Sequence, residues 1–107
     1  MQDLNPMDVF QQEAPEVAAG FEGLIKSLIG YGGVDGRTKQ LIYIALKAST
    51  GDATAVGLHA PMARLAGATR DEVKGAVLMT LTTCGLRGVT TCLQAALNAY
   101  DACGTPG

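Results

Sequence analysis

Apolar residues recur at helical spacing along almost the whole chain, and no strand-like alternation runs longer than a few residues. That pattern predicts an all-α fold. Helix-start and helix-stop signals divide it. Asn5-Pro6 is a start, because Asn can cap and Pro is tolerated at the first helical position. Pro15 ends this short piece and begins the next, which carries Val17, Phe21, Leu24, Ile25 and Leu28. Gly30-Tyr31-Gly32-Gly33 is expected to close it with a left-handed glycine. Asp35 is the candidate cap of a helix from about Arg37 to Ala48, apolar on nearly every side, as in a helix buried within a bundle or an assembly. Asp52 can cap the following helix, which holds Leu58, His59 and Met62. Pro61 within it predicts a kink or a broken turn. Thr69-Arg70-Asp71-Glu72 is a capping box, and its helix is expected to run on through Thr80, Leu81 and Cys84. Gly85-Leu86-Arg87-Gly88 makes a tight connection to a last helix with a stripe of Val89, Cys92, Leu93, Ala96, Leu97 and Tyr100. Beyond Cys103 the tail should fray.

Composition narrows the picture. The 107 residues suit one domain. They include 16 Ala and 12 Leu but only 7 Val, 4 Ile and 5 aromatic residues. Helices packed closely through small side chains follow from that balance. So few large side chains make a thin monomeric core, which predicts a homo-oligomer. The net charge of −2 lacks the basic stripe that a phosphate backbone asks for, so nucleic acid is an unsuitable partner. No apolar run approaches the roughly 18 residues that span a bilayer. The acidic start, Met1 to Pro6, does not read as a signal peptide, and a cytoplasmic location is expected.

The three cysteines, Cys84, Cys92 and Cys103, form no CxxC pair and no metal-ligand spacing with the single histidine. Cys84 and Cys92 fall on apolar stripes, where Cys behaves as a small hydrophobe. A redox pair between them is the alternative. His59 sits among Gly57, Leu58, Ala60 and Pro61. An imidazole in such a setting can titrate near neutrality and act as a general acid or base. The plainer reading is a core histidine satisfied by one carbonyl.

Lys39-Gln40-Leu41-Ile42, Ser49-Thr50-Gly51-Asp52, His59 and the run Ala66 to Val73 together resemble the carboxymuconolactone decarboxylase family, which includes the alkylhydroperoxidase D-type disulfide reductases. The resemblance covers roughly Asp35 to Gly88. It implies an alkylhydroperoxidase D-like bundle of about five to six helices, assembled as a dimer, a trimer or a hexamer. The family's redox members carry E-x11-C-x2-C-x3-H. Counted back from His59, the cysteine positions hold Ala55 and Asp52, and the glutamate position holds Gln40. Without either thiol the peroxide-reducing chemistry is disfavoured. The resemblance then implies the decarboxylase branch, which acts on a small lactone carboxylic acid without metal or organic cofactor. His59 is the candidate proton carrier. Arg64, Arg37 and Arg87 are candidate clamps for substrate carboxylates, because guanidinium binds carboxylate in a bidentate fork. Asp52 lies two turns from His59, about 10 Å along a straight helix, so capping suits it better than orienting the imidazole. A non-catalytic ligand-binding or assembly role is the main alternative, and a redox role for Cys84 and Cys92 a further one.

Overall fold

The computed structural model describes residues Asn5 to Cys103. Most of them are helical and none forms a strand, so the fold is all-α. The expected fraying beyond Cys103 lies outside the described residues.

Two compact units divide at Gly33–Val34. The first holds α1 (Pro6–Glu13) and α2 (Pro15–Gly30). The Asn5 side chain accepts from the Met7 N–H at the start of α1. Phe10 meets Phe21 edge to face, with ring centroids 6.3 Å apart. The end of α2 differs from expectation. Its cap is Tyr31 in an extended conformation, and none of Gly30, Gly32 and Gly33 has positive φ. The three glycines that do, Gly51, Gly67 and Gly85, all lie in the second unit.

That unit holds α3 (Gly36–Ser49), α4 (Ala53–Leu65), α5 (Arg70–Met79), the single turn α6 (Leu81–Cys84), a π-helical segment (Val89–Leu93) and α7 (Gln94–Cys103). Asp35 caps α3 through Thr38 N–H, and Asp52 caps α4 through Ala55 N–H. Gly51, at φ 76°, lets the chain fold back so that Asp52 N–H reaches the Lys47 carbonyl. The capping box is complete: Glu72 N–H donates to the Thr69 hydroxyl, and Thr69 N–H donates to the Glu72 carboxylate.

Helix α4 packs on α3 and α7, and α3 packs on α5. The core holds Ile44, Val56, Val73, Val77 and Cys92 between the methyl groups of Ala48, Ala60, Ala63, Ala68 and Ala96. Four local readings need correction. Helix α4 continues through Pro61 without a broken turn, since Val56, Ala60 and Ala63 bind it to its neighbours. The α5 pattern does not run to Cys84: the helix stops at Met79, and α6 resumes after Thr80. The last helix is not regular throughout, because residues Val89–Leu93 are wound as a π-helix. Finally, α3 is not apolar-buried all round. Ile44 and Ala48 are fully buried, whereas Ile42 and Leu46 are exposed.

Candidate functional site

The site assembles where α3 lies along α4. On α3, Gln40, Tyr43 and Lys47 follow at spacings of three and four residues and so share a face. On α4, His59 and Ala55 are one turn apart, with Asp52 at the cap. The two helices meet at both ends of this strip. At one end His59 Nδ1 lies 2.9 Å from Gln40 Oε1. At the other, Lys47 Nζ lies 3.8 Å from Asp52 Oδ2. Between them the Tyr43 ring stacks on the imidazole at a tilt of 31°, with centroids 3.9 Å apart. Lys47 Nζ sits over the Tyr43 ring, 5.8 Å from its centre.

With Gln40 Oε1 as the atom facing the ring, the contact favours one imidazole tautomer. An amide oxygen only accepts, so Nδ1 carries the hydrogen and Nε2 keeps a free lone pair. Partial burial lowers the His59 pKa from its ordinary value, and the positive charge of Lys47 lowers it further. The neutral ring is therefore the resting form near pH 7. This arrangement can accept a proton at Nε2 and release it readily.

The other residues singled out in the sequence fall as follows. Gln40 holds the imidazole as a carboxylate would, without supplying a charge. Asp52 caps α4 and pairs with Lys47, and is not hydrogen-bonded to His59. Ala55 presents only a methyl group on the same strip. Arg64 Nη1 donates to the Tyr100 carbonyl at 2.8 Å, and its guanidinium lies 4.8 Å from the Tyr100 ring centre. Arg37 pairs with Glu72, the capping-box carboxylate. Arg87 is exposed beside Gly51 and Thr91. Among the described residues no arginine hydrogen-bonds to His59. Tyr43 and Lys47 escaped the sequence reading. Their spacing from Gln40 was the available signal, since it puts all three on one helix face.

Among the described residues no group of three or more His, Cys, Asp or Glu side chains is placed to hold a metal ion. The three cysteines are free thiols: Cys92 buried, Cys84 half-buried and Cys103 exposed. No helix among the described residues is long and apolar enough to cross a membrane.

No curated protein and no solved structure matches the chain. The family model described as "Carboxymuconolactone decarboxylase family" matches residues 15–98, which takes in both helices of the strip and extends beyond the Asp35–Gly88 stretch that carried the resemblance. The chain belongs to the carboxymuconolactone decarboxylase family.

Proposed function

We propose that this chain is a cofactor-free carboxy-lyase for a lactone carboxylic acid of the 4-carboxymuconolactone type, with His59 as proton carrier. The Gln40–His59 hydrogen bond carries this reading, because it makes Nε2 the nitrogen that loads and releases a proton. In the reaction the bond between the ring carbon and the carboxylate breaks, and CO2 leaves. The electron pair passes into the unsaturated lactone, which takes a proton on carbon from the imidazolium Nε2–H. The ring then regains a proton from water. Burial and Lys47 both weaken the imidazolium's hold on its proton, which makes the protonated fraction a stronger donor. Thiol peroxide reduction is the poorer reading, because Asp52 and Ala55 offer no sulfur to oxidise.

Homo-oligomerisation belongs to the same proposal. Ile42 and Leu46 on α3, and Leu58, Met62 and Leu65 on α4, leave the single chain exposed, Leu65 to 82%. Large apolar surface on a small domain is the usual mark of a protein interface. A cytoplasmic location suits the three free thiols.

The test is turnover of 4-carboxymuconolactone by the wild type and His59→Ala. We expect release of CO2 by the wild type and a loss of at least about 100-fold in kcat for the variant. Equal turnover rejects His59 as proton carrier, and no turnover by the wild type rejects this substrate.

A further inference from the structure

The proposed decarboxylation calls for a cation to hold a carboxylate, and the three candidate arginines do not gather at His59. Arg64 is hydrogen-bonded to the Tyr100 carbonyl, Arg37 is paired with Glu72, and Arg87 lies beside Gly51 and Thr91. The strip itself contains one ammonium group. Lys47 rises from the same face of α3 as Gln40 and Tyr43, and Tyr43 stacks directly on the imidazole.

Lys47 is only lightly engaged. Its 3.8 Å approach to Asp52 Oδ2 is a loose ion pair, and its side chain is 39% exposed. It makes no side-chain hydrogen bond among the described residues, although an ammonium has three donors to offer. Asp52 in turn is divided between two tasks, since its Oδ1 accepts the Ala55 N–H at the head of α4. The helix N-terminus offsets part of that carboxylate's charge, which leaves more of the Lys47 charge available to a ligand.

We propose that Lys47 is the anion-holding residue of the His59 site, and that the site takes a planar, unsaturated ring acid with its carboxylate on Lys47 and its ring over the Tyr43–His59 stack. The inference rests on His59 being the centre of a small-molecule site. It replaces an arginine fork with a lysine, so recognition depends on charge more than on bidentate geometry.

The test uses 2-furoate, a flat five-membered ring acid, and its neutral isostere 2-furamide. Binding is followed by calorimetry and by the His59 imidazole NMR signals, in the wild type, Lys47→Gln and Lys47→Arg. We expect 2-furoate to shift the imidazole signals saturably, and 2-furamide to leave them unmoved at the same concentrations. Lys47→Gln should raise the 2-furoate Kd about tenfold or more, and Lys47→Arg should keep it within about threefold of the wild type. Rescue by arginine and discrimination against the amide both read charge, which a purely structural lysine would not move. Equal binding of acid and amide, an unchanged Kd in Lys47→Gln, or no 2-furoate binding by the wild type overturns the proposal. Because the readout is binding, a wild type that takes 2-furoate but does not turn over 4-carboxymuconolactone refutes the proposed reaction and upholds the anion site.

Discussion

Gln40 places an uncharged acceptor where a carboxylate would stabilise an imidazolium. It fixes the hydrogen on Nδ1 of His59 while leaving the ring free to stay neutral, and burial and Lys47 push the same way. The sign of the resulting pH effect follows. A histidine whose pKa is lower in the folded chain takes up protons more readily when unfolded. Its contribution therefore costs stability as pH falls through the ordinary histidine value of about 6.5, and costs nothing well above it. Gln40→Glu puts a negative charge against Nδ1–H and should raise the His59 pKa by about one unit or more, measured by NMR titration of the imidazole. An unmoved pKa would mean that the 2.9 Å contact does not govern the ring. At this scale the sequence was half legible. The resemblance, through the family's motif spacing counted back from His59, located Gln40, Asp52 and Ala55, and Asp52 caps as expected. The arginines were chosen by chemical type and by place along the chain, Arg64 one turn beyond His59 and Arg37 and Arg87 near helix ends, which says nothing about their neighbours in space. Folding ties Arg64 to the last helix and Arg37 to a capping box, and those contacts are long-range.

Among the elements, the caps were the most legible and the passage from α5 to α7 the least. Caps depend on residues three apart, so Asp35, Asp52 and Thr69 announce themselves. The stripe from Val89 to Tyr100 fits an α-helix equally well, and nothing local marks the π-helical Val89–Leu93. A close tertiary approach, equally invisible in the local sequence, lies next to it. At Gly88, immediately before that segment, an added Cβ would sit 2.3 Å from the Thr80 hydroxyl and 3.0 Å from the Ala48 carbonyl oxygen. Thr80 cannot easily yield, because it is buried and its hydroxyl donates to the Val77 carbonyl. Gly88→Ala should therefore cost about 1–3 kcal/mol, read as a lower urea midpoint with unchanged slope. Wild-type stability in that variant would show that Thr80 turns aside freely. Pro61 makes the converse point: a helix breaker by type sits inside α4, where contacts of that helix with α3 and α7 outweigh the lost hydrogen bond.

For the whole molecule, the all-α class was legible because period and composition agree. The exposed apolar surface was legible only as a shortage of large side chains, since the sequence does not say which side of α3 or α4 is left bare. In the second unit Leu58 and Leu65 stand exposed at 66% and 82%. If a second copy covers them, Leu58→Asp combined with Leu65→Asp should lower the sedimenting mass toward that of one chain, with helical circular dichroism retained. A wild type that sediments as a single chain would refute the assembly.

The alanine-lined interior has a consequence for how such a chain can change. Ala48, Ala60, Ala63 and Ala96 on the helices, and Ala68 in the α4–α5 connection, are so fully buried that most replacements would wedge the frame apart. The strip of Gln40, Tyr43, Lys47 and His59 is only partly buried, so its side chains can be exchanged while the helix axes stay in register. Such a scaffold is conservative in its skeleton and permissive in its chemistry. New reactivity can arise on it by single replacements along one seam, without the fold having to be rebuilt.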